Sequence, residues 1–311
     1  MRHSDKRLNL ITAGTALTFI LGALFFPSFI KSAEIWVVVL SVLIIGIPHG
    51  AIDHIMAAEL FSLNQTLKDH LIFYSSYLLI MFIIGALWIF LPEAGMALFL
   101  IISIYHFGQA DMEDFLKERE PVNRLFYSAR GLLIIGLIVF SEPTTTYPIM
   151  ADAMQMNTLV LSDFMPSANS SLWILIGFYG LISVFGIVTG RVENVPNFVI
   201  DSLLLTLFLW VTGPLIGFAV YFALWHSAGH INEMREFFES RGKSLSVAQF
   251  YKKATPFTLV SIVGLLLLLL INVQINLENR FLSLMFILIS VLTLPHMLIV
   301  EKMYDEKKQA N

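Results

Sequence analysis

The chain has 311 residues, of which 57% are hydrophobic and 14% charged, and its net charge is −4. A soluble domain carries about 25% charged residues. A charge at the centre of a bilayer costs several kcal/mol, so the deficit points to a lipid environment. Nothing in the mild negative charge suggests nucleic-acid binding, and the absence of cysteine excludes disulfides and thiolate metal ligands.

A helix needs about 20 apolar residues to cross a hydrocarbon core of about 30 Å. In chain order, ten segments qualify: Leu8–Phe26, Ile35–Ala58, Leu71–Leu91, Ala94–Ala110, Leu125–Phe140, Leu172–Thr189, Phe198–Val211, Leu215–His230, Phe257–Asn272 and Phe281–Val300. The fold class is therefore all-α, a polytopic membrane protein of about ten transmembrane helices, with residues 1–311 forming one membrane-embedded domain. The first apolar run is longer than a signal-peptide core and reads as a retained span. Gly213 and Pro214 separate the seventh helix from the eighth, because both disfavour a continuous helix. The mixed stretch Tyr147–Met165 reads as a long external loop with room for an interfacial helix.

Charge asymmetry orients the chain. With the N-terminus inside, ten crossings return the C-terminus inside. Of the 19 Lys and Arg residues, only Lys31 and Arg280 then fall outside. Arg130 is counted inside, in the first cytoplasmic turns of the fifth helix.

Of the eight histidines, His3 and His70 lie at an end or in a connection and read as solvated. The other six sit in Pro48-His49-Gly50-Ala51-Ile52-Asp53-His54, Tyr105-His106-Phe107-Gly108, Trp225-His226-Ser227-Ala228-Gly229-His230 and Leu294-Pro295-His296-Met297. An ionisable residue inside a span is a functional-site candidate. A lone one serves equally well as a helix–helix hydrogen-bonding group. The set says more than its members. All four motifs lie on outward-to-inward helices. At about 1.5 Å rise per residue, His49, His106, His226, His230 and His296 share a layer about 18–24 Å below the outer boundary. His54 falls at about 30 Å, near the inner edge.

His226 and His230 are four apart and share a helix face, so two imidazoles there suit one metal ion. His49 and Asp53 share a face in the same way. Asp53 then suits a hydrogen bond to a ligand histidine from behind, its other reading being a polar cap near the helix end. His54 points about 140° away from His49. His296 has the right depth, and Pro295 before it suits a kink that turns the imidazole inward. It is expected to line the site or hydrogen-bond near it without ligating. Imidazoles suit Zn, Cu, Fe and Ni alike, so these residues alone leave the metal open. Walls of Phe, Leu and Ile favour a lipophilic substrate. Tyr105, Phe107, Trp225 and Met297 adjoin the motif histidines and are candidate walls of a substrate tunnel, with helix packing as their alternative role.

Together, PHGAIDH at 48–54, YHFGQAD at 105–111, WHSAGH at 225–230 and LPHM at 294–297 resemble the Brp/Blh-type bacterial and archaeal β-carotene dioxygenases, in order, spacing and hydropathy over almost the whole chain. The resemblance implies an enzyme of the cell (inner or plasma) membrane that uses Fe(2+) and O2. The reaction is cleavage of the central double bond of β-carotene into two molecules of all-trans-retinal. It implies His49, His106, His226 and His230 as the iron ligands, and a rhodopsin apoprotein as the downstream user of retinal. One departure is Gly229, where family members often carry a basic residue.

Two other classes use intramembrane histidines. A di-iron desaturase or hydroxylase needs about eight, typically with an HxxHH box, which this chain lacks. A proton-coupled transporter would relay protons through His and Asp, and it favours inverted repeats, of which the sequence shows none.

The charge count yields a test. A reporter fused after Asn311 is expected to read as cytoplasmic, and one inserted within Thr144–Ser170 as external. The opposite readings would overturn the helix count.

Overall fold

The computed structural model describes residues 6–63, 66–117, 120–271 and 277–309. Arg2, His3, Arg119, Asn272 and Asn311, and the side chains of Arg280 and Lys308, lie outside that description. In chain order the helices are α1 Lys6–Phe25, α2 Pro27–Ser41, α3 Ile47–Gly50, α4 Asp53–Leu60, α5 Leu67–Phe90, α6 Pro92–Met112, α7 Asn123–Phe140, α8 Pro143–Ala153, α9 Thr158–Phe164, α10 Ala168–Val188, α11 Val195–Val220, α12 Gly229–Ser240, α13 Val247–Ile271 and α14 Leu277–Gln309. Two π-helical segments interrupt the series, Val42–Gly46 before α3 and Tyr221–Ala228 before α12. The described residues hold no strand, only one antiparallel bridge between Leu116 and Val192.

The protein is an all-helical, multi-pass membrane protein. Eight stretches among the described residues are long and apolar enough to cross a membrane, against the ten segments read from sequence. Two causes account for the difference. Helix α6 forms over 21 residues, but Glu93, His106, Gln109 and Asp111 hold its apolarity down. Val195–Ser240 is one helical run of 46 residues, which at about 1.5 Å per residue is more than twice the bilayer core. It breaks at Gly213, where φ is 75° and ψ 175°. An L side chain rarely adopts that backbone, and Pro214 follows it.

Tyr147–Met165 is not a loop. Helices α8 and α9 cover most of it, and Tyr147, Ile149, Ala151, Ala153 and Met154 are buried. The side chain of Asn157 caps α9 by accepting from the Leu159 amide at 2.8 Å. Outward faces are apolar: Phe82 is 72% exposed, Phe90 77% and Val188 79%. Such faces are stable against lipid and not against water.

The chain divides into two compact units. The first comprises 1–42, 100–148 and 157–229. In it α7 packs on α10 and α11, and α11 on α1 and α2. The crossing of α6 and α7 is a backbone contact. A Cβ on Gly108 would stand 1.8 Å from the Tyr127 carbonyl oxygen, and one on Gly131 would stand 1.7 Å from that of Ile104. Small residues let membrane helices approach this closely.

Arg130, one residue from that crossing, is 1% exposed. It sits in a buried network and not among solvated loop charges. Its guanidinium meets Asp111 Oδ2 at 3.1 Å and Asp201 Oδ2 at 2.5 Å, and donates to Tyr179 Oη and Ser202 Oγ. The Trp225 indole N–H donates to Asp201 Oδ1, and the Tyr221 hydroxyl to Asp111 Oδ1.

The second unit comprises 43–99, 149–156 and 230–311. Helix α14 packs on α4, α5 and α13, and α13 on α3. Its core gathers Ile52, Met56, Phe237, Phe250 and Met303, among others.

Two stability predictions follow from the first unit. Gly131→Ala is expected to cost more than the about 1–3 kcal/mol of ordinary overpacking, because the obstacle is backbone. The readout is loss of monodisperse protein in detergent, with Gly177→Ala, whose Cβ meets nothing within 4 Å, unaffected. Arg130→Leu strands two buried carboxylates, and breaking a buried pair costs about 3–5 kcal/mol. Its thermal unfolding midpoint is expected well below that of the Arg130→Leu, Asp201→Asn, Asp111→Asn triple variant.

Candidate metal centre

In the second unit three histidines converge. His49 is the third residue of the four-residue helix α3, which directly follows the π-helical segment Val42–Gly46. Its Nδ1 donates to the carbonyl of Gly46, the last residue of that segment. A carbonyl only accepts, so the proton of the neutral ring is on Nδ1 and the lone pair on Nε2. The ring centre of His49 is 4.9 Å from that of His296 and 6.1 Å from that of His230; His230 and His296 are 6.0 Å apart. All three are at most 5% exposed.

Groups behind the rings fix their orientation. His296 Nδ1 donates to Asp53 Oδ1 at 2.8 Å, and the Tyr77 hydroxyl donates to Asp53 Oδ2 at 2.8 Å. The Tyr304 hydroxyl donates to Glu233 Oε2 at 2.7 Å and lies 3.4 Å from His230 Nε2. With its proton given to Glu233, the Tyr304 oxygen accepts from His230 Nε2, which puts the lone pair of that ring on Nδ1. Asp53 does not bond His49, as the shared helix face suggests. The turn at Ala51–Ile52 separates the two, and Asp53 serves His296.

In the first unit, His106 on α6 and His226 in the π-helical segment Tyr221–Ala228 have ring centres 4.9 Å apart at 79°. Both are 1% exposed. Phe107 packs against His226 at 4.7 Å, and Phe222 stacks on its other side at 5.7 Å and 13°. Two imidazoles on one ion, with bonds of about 2.0–2.1 Å, have ring centres at most about 6.5 Å apart. Each histidine group meets that limit internally. Buried neutral imidazoles with tautomers set from outside are the donor set that a borderline divalent metal takes. The residues fit the metal.

The remaining expected residues scatter. His54 Nδ1 donates to the Ala51 carbonyl, and its ring packs on Phe257 at 4.6 Å. Exposed His70 stacks on Tyr74. Among the expected tunnel residues, Phe107 faces a motif histidine. Trp225 stacks on Phe208 and binds Asp201, so it belongs to the charge network. Tyr105 packs edge-on against Tyr127, and Met297 is half-buried. Sequence reading assigned no role to Tyr77, Glu233, Tyr304, Asp111 or Asp201. Two of them carried a signal, Asp111 as the end of the YHFGQAD run and Asp201 as a carboxylate inside the apolar run Phe198–Val211.

Residues 40–304 match the family described as beta-carotene 15,15'-dioxygenase. A probable beta-carotene 15,15'-dioxygenase, Blh, of Halobacterium salinarum is 28% identical over 288 residues, covering 84% of this chain and 82% of its own. The beta-carotene 15,15'-dioxygenase of uncultured marine bacterium 66A03 is 22% identical over 272 residues, covering 86% of this chain and 92% of its own. No solved structure matches. The matched stretch runs from before His49 to beyond His296 and holds all four histidine motifs, so this chain belongs to the β-carotene 15,15'-dioxygenase family.

Proposed function

We propose that this protein cleaves β-carotene at its central double bond with O2, giving two molecules of all-trans-retinal, on a ferrous ion held by His49, His106, His226 and His230. The observation that carries the reading is the family match over residues 40–304, which brackets every histidine motif. The buried imidazoles support it. The reaction balances without a further reductant: one C=C bond and one O2 become two C=O bonds. Iron would supply the redox chemistry of dioxygen that the twenty side chains lack.

The chain's own residues hold, orient and shield. Neutral imidazoles leave the charge of a divalent ion undiminished. Gly46, Glu233 through Tyr304, and Asp53 fix ring orientations before any ion arrives. Phe107 and Phe222 flank His226 and exclude water from it. The membrane is the solvent in which so apolar a substrate dissolves, and the plasma (inner) membrane is the proposed location. Residues 1–311 act as one catalytic domain, with a rhodopsin apoprotein as the proposed recipient of retinal.

Two measurements test this. In a β-carotene-producing host, the expected product is retinal; longer apocarotenals would reassign the cleavage position, and no product would remove the activity. The purified protein is expected to carry about one iron per chain. Replacing any one of His49, His106, His226 or His230 with Ala is expected to abolish activity while the protein still inserts. Substantial activity in two or more of these variants would show the ligand set to be wrong.

A further inference from the structure

We infer that His296 is itself a metal ligand, oriented by Asp53 and Tyr77, so that the second unit contributes three imidazoles to the centre. The inference rests on the metal reading above and changes the role of His296, which the sequence places beside the ligands and not among them.

Three observations on this chain carry it. The first is the arrangement behind the ring. His296 Nδ1 donates to Asp53 Oδ1 at 2.8 Å, and Asp53 is held in turn by the Tyr77 hydroxyl at 2.8 Å. A histidine that binds a metal through one nitrogen gives its other N–H to a carboxylate or carbonyl, which fixes the tautomer and raises the basicity of the ligating atom. His49 shows the carbonyl version at Gly46 and His296 the carboxylate version.

The second observation is distance. The His296 ring centre is 4.9 Å from that of His49 and 6.0 Å from that of His230. Both lie within the limit of about 6.5 Å for imidazoles on one ion. The ring is 4% exposed and lies over Gly50, where an added Cβ would be 3.8 Å from Nδ1. Helix α3 and the turn after it thus leave room for this ring beside His49.

The third is ring geometry. The rings of His49 and His296 meet nearly at right angles, 86°, in a buried space. Each has its Nδ1 turned to an acceptor of its own, Gly46 for one and Asp53 for the other. In both rings Nε2 is then the nitrogen that would meet an ion.

The test is metal binding by the full-length protein in detergent. Ferrous iron is loaded anaerobically, affinity is measured by competition with a chelator, and imidazole nitrogens are counted by pulsed EPR of the ferrous–nitrosyl form. His296→Ala is expected to weaken iron binding by at least about 10- to 100-fold, and Asp53→Asn by about 10-fold or more. The nitrogen couplings are expected to fall by one ring in His296→Ala. His54→Ala is expected to bind as the unaltered protein does. Against misfolding as the cause, free imidazole added to His296→Gly is expected to restore iron binding.

Unchanged iron affinity and couplings in His296→Ala would overturn the inference and leave the four-histidine reading standing. So would a folded His296→Gly that imidazole fails to rescue. A wild-type protein that binds no iron, or a His49→Ala variant that binds it normally, would instead bring down the metal reading and this inference with it.

Discussion

Inside a bilayer no water reaches a buried polar atom, so every such atom must be met by another group of the protein. This constraint sets the local structure around each functional side chain here. Arg130 is met by Asp111, Asp201, Tyr179 and Ser202. His49 is met by a backbone carbonyl, His296 by Asp53, and His230 by the Tyr304 hydroxyl. Each of these bonds stabilises the fold modestly, and each costs more when one partner is removed. Because the partners are fixed by packing, the imidazole tautomers are fixed as well. The imidazoles that could hold a metal are therefore oriented by the fold itself, so the binding energy of such an ion would not be spent on ordering them.

The π-helical segments show the same constraint from the backbone side. A π turn widens the helix and disturbs the i→i−4 ladder, and such turns cluster at functional sites. Val42–Gly46 ends at the carbonyl that takes the His49 proton, and Tyr221–Ala228 contains His226. Neither was legible in the sequence. Val-Leu-Ile-Ile-Gly has the composition of any membrane span, and the choice between α and π is made by tertiary contacts. The helices themselves were legible, because twenty apolar residues are a strong local signal, as was the break at Gly213-Pro214. The pairing of Asp53 with His296 was not, since 243 residues separate them and nothing local marks the partner. The partners of Arg130 were not legible for a related reason, since Asp111 and Asp201 lie 19 and 71 residues away along the chain.

Adjacency within a motif proved a poor guide to function. In Tyr105-His106-Phe107-Gly108, the histidine faces His226 and Phe107 packs on that same ring. Gly108 instead serves the α6–α7 crossing, where no side chain fits. In Trp225-His226, the tryptophan turns to Asp201 and the histidine to His106. Successive helical residues point about 100° apart, so a conspicuous run of residues distributes its members among separate tasks. Of the residues that orient the imidazoles, Asp53 lies in a run but serves the histidine of another, and Tyr77, Glu233 and Tyr304 lie in none.

Charge balance closes the physical argument. A divalent ion in an apolar interior is costly unless negative charge lies nearby. A carboxylate bound to the ion would supply that charge but would also change the donor atoms. In the second unit the carboxylates stand one group back, Asp53 behind His296 and Glu233 behind Tyr304 and His230. Both are 3% exposed. Two carboxylates would match the charge of the divalent ion proposed here, while the atoms proposed to meet it are all imidazole nitrogens. A hydrocarbon substrate gains from this arrangement. It has no polar group for the protein to grip, so recognition falls to apolar surface, where one methylene is worth only about 1–3 kcal/mol. With the counter-charge kept behind the rings, the proposed ligand atoms need no charged neighbour on the side a hydrocarbon would approach.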